Sequence, residues 1–422
     1  MARGRKSDLI TAIDIGTESV RCVIAERTEA GLDIIGVGKA RSTGLKRGVV
    51  INIDSTVSAI RSAVEAAELM SGREVAEAYC SVTGSHIASK NQAGMVSVKN
   101  NEVKPDDVQR CLQQARTCKL DEGRGYVHVL PIEFSVDDNP GLQSPLGIAG
   151  VRLETRVHMI TAARAAMDNI ITCCNREGIR VAGLVFSPLA ASEVILHEDE
   201  KELGVILADI GAGTTDFVVW HNGSVIQSGV VNIGGKQISD ELAVALRTPR
   251  AEAEAVKLKH AVAMASAPGD DEVIRLPMAG IRKQDLEIKR ALLGEVIEPT
   301  LEEIFTSIGT RIREAGHQEY VSAGIVLTGG TALIPGIDTL AHQILGVNAR
   351  VGDVVNLDST VGGVTSAVTD ASFAVALGMV LNVARERPTE VVSTPRNTAS
   401  DRNGEGWWGR FRKWLEDAFV SH

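Results

Sequence analysis

The stretch VILADIGAGTTDFVVW, residues 205–220, decides the fold because it interrupts a buried β-strand pattern with Asp-Ile-Gly and a run of small and hydroxyl residues. The chain carries a second copy at residues 10–26, ITAIDIGTESVRCVIAE. In both copies an apolar run leads through Asp-Ile-Gly into a second apolar run, the pattern of a β-hairpin with buried strands. Two copies with matched flanks indicate two hairpins of one design, and therefore a duplicated site.

The turns of these hairpins carry the residues that a phosphate site needs. Glycines at Gly16, Gly211 and Gly213 let the backbone approach a ligand closely, and successive N–H groups there form a concavity that binds anions. An aspartate beside phosphate requires an intervening cation, so Asp14 and Asp209 are predicted to hold a hydrated Mg²⁺ through water. Hydroxyl donors for phosphate oxygens come from four further residues, Thr17, Ser19, Thr214 and Thr215. A single copy would fit an ordinary tight turn equally well, whereas two copies favour hairpins that clamp a polyphosphate from both sides.

A glycine turn later in the chain supplies a third part of the site. LTGGTALIPG, residues 327–336, has the pattern of a strand that ends at Gly329-Gly330 and leads into a helix. Such a turn can place a flat nucleoside against exposed backbone. A Gly-Gly turn alone is weak evidence, but its position after both hairpins strengthens the prediction. DASFAVALGMVLNVA, residues 370–384, is predicted to form a helix of small residues.

Composition bounds the class of protein. The 422 residues are 44% hydrophobic and 23% charged, as in ordinary globular domains, and can form two or more of them. A net charge of −10 argues against nucleic acid as the main partner. Six cysteines without a Cys-x-x-Cys pair favour reduced thiols over a disulfide framework or a zinc site. With no signal peptide and no apolar run long enough to cross a bilayer, a cytoplasmic protein is expected.

The remaining segments alternate strands and helices, with one break in the rhythm. Helices are predicted over 55–71, 162–177, 237–262 and 293–316, with a strand near RGVVINID and another over 180–186. Residues 84–160 predict a separate α+β insert: a strand pair, HIASKN and GMVSV, a helix opened by Pro105, and two longer strands.

These features resemble a known superfamily. Two Asp-x-Gly hairpins, the Gly-Gly turn and the small-residue helix are similar to those of the actin/Hsp70/sugar-kinase superfamily. TGSHIASKNQAGMVSV, with VLPIEFSVDDNPGLQSPLGIAGVRLETRVHMITA, looks like the domain found inside the FtsA family of bacterial cell-division proteins. The resemblance spans about residues 8–385 and implies an ATP-binding, α/β, actin-like duplicated fold with an α+β insert. It implies the following divisions: a first half of 8–83, 161–202 and 367–385; the insert, 84–160; a second-half core of 203–236 and 301–366; a small second-half subdomain, 237–300; a disordered linker, 386–406; and a C-terminal amphipathic helix, 407–420.

The resemblance also implies which residues bind ATP. Glu254 and Lys257, in the helical AEAVK, are candidates for ribose or base contacts, while Lys236 and Asp240 follow the second hairpin and could equally be a solvated helix start. Glu18 stands where the family often has a lysine, which removes a direct cationic contact to phosphate. The implied nucleotide residues are Asp14, Gly16, Thr17, Glu18, Ser19, Asp209, Gly211, Ala212, Gly213, Thr214, Thr215, Lys236, Asp240, Glu254, Lys257, Gly329, Gly330 and Thr331.

Hydrolysis in this fold needs a side chain that orients water. The segment FSPLAASEVIL offers only Ser187 and Glu193, and Glu193 is a weak candidate for that role. Firm ATP binding with at most weak ATPase activity is therefore expected.

The last sixteen residues are rich in aromatic and basic side chains. A helix of this length is too short to cross a bilayer but suits the headgroup region. The residues expected on or beside its membrane face are Trp407, Trp408, Phe411, Trp414, Leu415, Phe419, Arg410, Arg412 and Lys413. A helix that docks on its own protein is the alternative, and the polar linker before it favours a membrane foot. FtsA proteins, to which the chain is similar, are peripheral proteins on the cytoplasmic side of the inner membrane at the division site.

The resemblance implies partners as well. The C-terminal tail of the tubulin-like protein FtsZ would dock on residues 237–300, where Arg282, Lys283 and Lys289 could meet an acidic peptide or simply form a solvated face. Copies of the chain would form a filament, which multiplies weak membrane feet into avid binding, and later division proteins would be recruited. The alternatives are another actin-like assembly scaffold, such as a pilus protein, a small-molecule kinase of the superfamily, or an Hsp70-like chaperone. The insert, the terminal helix and the missing substrate domain respectively argue against them.

Overall fold

The computed structural model describes residues 9–28, 31–117, 120–266, 273–276, 286–354, 361–365, 368 and 371–384. Its strands are β1 (Leu9–Ile15), β2 (Ser19–Thr28), β3 (Gly31–Arg41), β4 (Leu45–Lys46), β5 (Val49–Val50), β6 (Glu77–Val82), β7 (Ala88–Ser97), β8 (Arg124–Val136), β9 (Asn139–Leu142), β10 (Arg152–Ala163), β11 (Arg180–Phe186), β12 (Val205–Ile210), β13 (Thr215–His221), β14 (Ser224–Val231), β15 (Val273–Leu276), β16 (Leu286–Lys289), β17 (Gly324–Thr328), β18 (Ala349–Val351) and β19 (Val361–Gly363). Its α-helices are α1 (Ile53–Ser71), α2 (Pro105–Arg116), α3 (Arg164–Arg176), α4 (Ser187–Ile195), α5 (Glu198–Leu203), α6 (Gly235–Ala245), α7 (Arg250–His260), α8 (Ala291–Glu314), α9 (Ile337–Leu345) and α10 (Ala374–Ala384).

Two sheets share one plan. The first has the order β11-β6-β1-β2-β3-β19 and the second the order β14-β13-β12-β17-β18. In each, three consecutive strands form an antiparallel meander, and two later strands add in parallel, one beside the first strand of the meander and the next beyond it. The first sheet has in addition β19, parallel to β3. The hairpins β1–β2 and β12–β13 therefore occupy equivalent places, which confirms the duplication predicted from the sequence.

Two buried helices, α4 and α10, pack against each other and connect the two sheets. In α10 the residues Ala374 to Asn382 are all buried, so the helix is apolar all round and lies in the core. It packs against α4 and against β1 and β2. The sequence analysis did not predict α4, because its nine residues are all buried and show no amphipathic period.

The insert forms its own sheet, with strand order β7-β10-β8-β9, and α2 packs on β7 and β10. The predicted strand pair HIASKN and GMVSV is wrong, since Ala88–Ser97 is one continuous strand. Gly94 explains the error. A Cβ there would lie 2.5 Å from the carbonyl oxygen of Cys111, so this glycine admits the close approach of α2 and makes no turn.

Two further predictions need correction. The helix expected over 237–262 is two helices, α6 and α7, because Pro249 cannot continue a helix and Arg247 adopts a positive φ of 51°. The strand expected near RGVVINID is the short hairpin of β4 and β5, followed directly by α1. Asn52 starts α1 by accepting a hydrogen bond from the Ser55 N–H at 2.9 Å.

The insert docks on β14, the edge strand of the second sheet. Ser89 donates to the carbonyl oxygen of Ser228 at 2.7 Å, and the Asn91 amide donates to that of Ile226 at 3.0 Å. Buried His158 joins both partners, with Nδ1 2.6 Å from Asn91 Oδ1 and Nε2 2.8 Å from Ser228 Oγ. These bonds satisfy carbonyl groups that an open sheet edge would expose.

Because burial lowers the pKa of His158 from 6.5 to about 3, folding holds this ring neutral. Below pH 6.5 the unfolded chain takes up a proton that the folded protein does not. The free energy of unfolding therefore decreases as the pH is lowered, by roughly 2 kcal/mol at pH 5. We expect His158→Gln to remove this part of the pH dependence. Urea unfolding between pH 5 and 8 measures it, with exposed His342→Gln as the control that keeps it. Parallel pH profiles of wild type and His158→Gln would contradict the assignment.

Candidate functional site

The two hairpin turns are built alike. The Gly16 N–H donates to the Ser19 carbonyl oxygen at 3.1 Å, and the Gly211 N–H donates to that of Thr214 at 2.9 Å. Both turns line one cavity of about 400 Å³, together with the Gly-Gly turn that follows β17. A cavity of this size suits a nucleotide-sized ligand. Of the predicted nucleotide residues, the cavity is lined by Asp14, Gly16, Thr17, Glu18, Ser19, Asp209, Gly211, Ala212, Gly213, Thr214, Glu254, Lys257, Gly329, Gly330 and Thr331.

The Gly-Gly turn closes against the second hairpin. Gly329 has φ 87°, and a Cβ there would lie 2.4 Å from Asp209 Oδ1, so a side chain would fill the space beside this carboxylate. The Thr331 hydroxyl donates to the Gly211 carbonyl oxygen at 3.1 Å. On α7, Lys257 pairs with Glu254 at 2.8 Å and also donates to the carbonyl oxygen of Gly235. This ion pair therefore holds α7 to the start of α6 while it lines the cavity.

Four candidates lie elsewhere. The Thr215 hydroxyl is buried and donates to the Ile233 carbonyl oxygen at 2.9 Å. Lys236 and Asp240 line a neighbouring cavity of about 800 Å³. Glu193 is buried, with Oε1 3.9 Å from Lys201 Nζ and outside the lining of both cavities, whereas Ser187 lines the first. Glu193 therefore lines neither the cavity formed by the hairpin turns nor the neighbouring one.

The equivalent aspartates have different surroundings. Asp14 accepts a hydrogen bond from Ser81 at 2.8 Å and pairs with Arg21 at 3.2 Å. Asp209 forms no hydrogen bond or ion pair with any residue that the structure describes. Burial raises the pKa of Asp14, and the nearby Arg21 opposes the rise. Burial and the nearby carboxylates of Asp216 and Asp14 raise the pKa of Asp209 to about 7.

Asp216 is a third carboxylate of this group, and the sequence analysis missed it. It accepts hydrogen bonds from the hydroxyls of Thr83 and Thr214, the latter at 2.9 Å. Burial nonetheless raises its pKa to about 7. A charged residue inside the apolar run TTDFVVW was the available signal for Asp216, as was Arg21 inside SVRCVIAE. Nothing in the local pattern marked Thr83.

Comparisons with known proteins now identify the family. Residues 84–161 match the family model described as "SHS2 domain inserted in FTSA", and residues 206–378 match "Cell division protein FtsA". The chain is 37% identical to the cell division protein FtsA of Pseudomonas aeruginosa over 382 residues, which cover 90% of each chain. It is 32% identical to that of Escherichia coli K12 over 99% of this chain and 100% of the relative.

The chain belongs to the FtsA family of bacterial cell-division proteins. Solved structures of other proteins show the actin-like fold. A PilM–PilN type IV pilus biogenesis complex matches with TM-score 0.62 at 15% identity, over 89% of this chain and 98% of that chain. MreB5 of Spiroplasma citri bound to ADP matches with TM-score 0.55 at 13% identity, over 89% and 95%. The predicted fold class and the predicted family are both confirmed.

Several FtsA-type predictions fall outside the described residues: the linker 386–406, the terminal helix 407–420 with its aromatic and basic residues, and Arg282 and Lys283. Lys289 is described and exposed on β16, which pairs with β15. None of the described helices combines the length and the apolar character that crossing a bilayer would need.

Proposed function

We propose that this FtsA-family protein is an ATP-binding, actin-like scaffold that polymerises and tethers the FtsZ division ring to the cytoplasmic face of the inner membrane. One observation carries the nucleotide part. Two turns of identical plan, each joining two strands inside its own sheet, line a single cavity together with a Gly-Gly turn. A ligand clamped between them would touch both halves of the molecule, so its phosphates could control how the halves sit.

In this proposal the phosphates lie between the hairpin turns and the adenosine lies toward Gly329, Gly330 and Thr331. Leu258 and Leu333 support the placement of the base, since both line the cavity and expose 75% and 61% of their surface. Exposed leucines at a cavity wall offer an apolar surface to a flat ring. MreB5, which shares the fold, binds ADP and AMPPNP, and this supports a nucleotide ligand.

The surroundings of Asp209 fit a hydrated magnesium ion. Its carboxylate lines the cavity without a partner among the described residues, and glycine rather than a side chain occupies position 329 beside it. Asp14 is already paired with Arg21, so its contribution to a cation would be smaller. A bound Mg²⁺ would supply charge neutralisation for the phosphate oxygens, and Asp209 would orient its water ligands. Because Glu193 does not line the cavity, hydrolysis is proposed to be weak at most.

The membrane and ring attachments rest on the sequence of the terminal segment and on the family. The helix 407–420 would lie in the headgroup region, and one such helix binds lipid weakly until a filament presents many. The FtsZ tail would dock on the small subdomain, 237–300, with Lys289 among its contacts. Later division proteins would gather on the same scaffold at the division site.

Electron microscopy on anionic lipid monolayers with ATP tests whether the terminal segment, residues 407–420, anchors the protein to the membrane. We expect filaments on lipid for the full chain and none for a chain truncated before Trp407. A matched full-length variant with Trp407→Glu and Trp408→Glu should behave like the truncation, since it keeps the length but removes the apolar face. Lipid-bound filaments from all three proteins would show that the terminal helix is not the anchor. A truncated chain that unfolds at lower urea would instead favour a helix docked on its own protein.

A further inference from the structure

The turn between β4 and β5, formed by Arg47 and Gly48, touches both phosphate hairpins. Lys46 pairs with Val49 across the short hairpin, which leaves Arg47 and Gly48 as a two-residue turn. Both have positive φ, 50° and 75°, as the tight turns of such hairpins require. Glycine adopts this conformation freely, whereas for arginine it carries a cost. A strained residue beside a binding site is a reason to look for a function of its side chain.

Close contacts fix this turn in place. The Gly48 N–H donates to Thr17 Oγ1, in the first hairpin, at 3.0 Å. A Cβ on Gly213, in the second hairpin, would lie 2.9 Å from Arg47 Cα and 2.7 Å from Thr17 Oγ1. The turn therefore lies against the tips of both hairpins, at the point where they meet.

The β4–β5 hairpin also supplies the positive charges of the neighbouring cavity that have no ion pair among the described residues. Thr17, Glu18 and Gly213 line this 800 Å³ cavity as well as the first one. Its cationic lining residues are Arg41, Lys46, Arg47, Lys236 and Arg250. Lys236 pairs with Glu18 at 3.0 Å, Arg41 lies 4.0 Å from the same carboxylate, and Arg250 pairs with Asp240 at 2.7 Å. By contrast, the exposed side chains of Lys46 and Arg47 have no ion pair or hydrogen bond with the described residues.

We propose that Arg47 contacts the terminal phosphate of a bound nucleoside triphosphate, and so lets the protein distinguish the triphosphate from the diphosphate. This inference rests on the proposed nucleotide site. With the base toward the Gly-Gly turn, the terminal phosphate reaches the hairpin tips, where Arg47 lies. At the hairpin tips the charge of Lys236 is neutralised by Glu18. The electrostatic attraction for the phosphate therefore comes from the side chain of Arg47. A guanidinium can bind two phosphate oxygens at once, which suits it to this role.

Binding of ATP and of ADP to the full chain, each with Mg²⁺, tests the proposal in four proteins: wild type, Arg47→Gly, Arg47→Lys and Arg41→Gln. Arg47→Gly is chosen because glycine accepts the positive φ and removes only the side chain. We expect it to weaken ATP binding about ten- to a hundredfold while ADP binding stays within about twofold. Arg47→Lys should recover part of the difference. Arg41→Gln removes an equal charge from the same cavity and should preserve the ratio of the two affinities.

Each other outcome has a definite meaning. An unchanged ATP-to-ADP ratio in Arg47→Gly, with wild-type circular dichroism and unfolding midpoint, would overturn the role of Arg47 and leave the nucleotide site intact. Equal affinity of wild type for ATP and ADP would also overturn it. Equal losses for both nucleotides in Arg47→Gly would make the turn a structural support. A wild-type protein that binds neither nucleotide would refute the proposed site itself.

Discussion

Asp209→Asn should stabilise the nucleotide-free protein and weaken nucleotide binding, whereas Asp14→Asn should stabilise the nucleotide-free protein less. The two aspartates hold equivalent positions in the duplicated hairpins, but only Asp14 has charged and hydroxyl partners, Arg21 and Ser81. An amide at position 14 would leave the arginine without its counter-charge, which costs more than the loss of the pair alone. At position 209 the same change removes a carboxylate that has no partner among the described residues.

The pH dependence gives the sign of the Asp209 effect. Its pKa is about 7 in the folded protein against an ordinary 3.8, because burial and the carboxylates of Asp216 and Asp14 disfavour its charge. Between these values the folded protein holds a proton that the unfolded chain has lost, so the free energy of unfolding falls as pH rises from about 4 to about 7. At pH 8 the folded protein carries the full cost of ionisation. Asp209→Asn should then be more stable than wild type by on the order of a few kcal/mol.

Urea unfolding at pH 5 and pH 8 measures this difference, and titration calorimetry with Mg·ATP measures the affinity. We expect a loss of at least about tenfold in affinity for Asp209→Asn, since the carboxylate orients the water ligands of the ion. Binding by the wild type should release protons near pH 7 and therefore strengthen as pH rises from 6 to 8. A less stable Asp209→Asn protein with unchanged affinity would refute both the charge argument and the site.

The sequence predicted the duplicated hairpins because their information is local. Each hairpin is formed by about sixteen consecutive residues. The pattern of apolar residues predicts its two strands, and the Asp-Ile-Gly sequence predicts the turn between them. The same locality explains why most of the turn residues that line the first cavity belong to the two hairpins that the sequence predicts. The break in the alternation of strands and helices predicted the insert, the family resemblance supplied the order of the parts, and the comparisons confirm that family.

Contacts between residues that are far apart in the chain could not be predicted from local sequence patterns. Thr83 donates to Asp216, 133 positions away in the chain, and no nearby residue signals that meeting. Gly94 resembled a turn because glycine in a strand has several uses, and only the packing of α2 shows which applies. Lys236 was predicted to be a nucleotide contact or part of a solvated helix start, and its amine lies 3.0 Å from the carboxylate of Glu18 on the first hairpin. An ion pair of this kind depends on how the two halves face each other, which periodicity does not encode.

Gly378→Ala should prevent stable folding or cost about 3 kcal/mol or more, although the change adds a single methyl group. A Cβ at this position in α10 would lie 1.9 Å from the carbonyl oxygen of Ala190 and 2.6 Å from its carbonyl carbon. Both are backbone atoms of α4, so the helices would have to move apart. Residues of both helices, Ala191 of α4 and Val375 of α10, line the first cavity, where the nucleotide is proposed to bind. Any protein that still folds should therefore bind ATP more weakly.

Gly309→Ala is the matched control, since it makes the same change inside another helix, α8. There the new Cβ would meet only Leu345 Cδ2, at 2.9 Å, which is the end of a flexible side chain. Alanine gains up to about 1 kcal/mol of helix propensity over glycine, which offsets the small rearrangement and leaves stability near that of wild type. Thermal and urea unfolding of the two variants separate helix propensity from packing. If both unfold at the wild-type midpoint, α4 and α10 do not meet at Gly378; if only Gly378→Ala fails, their backbone contact forms a wall of the first cavity.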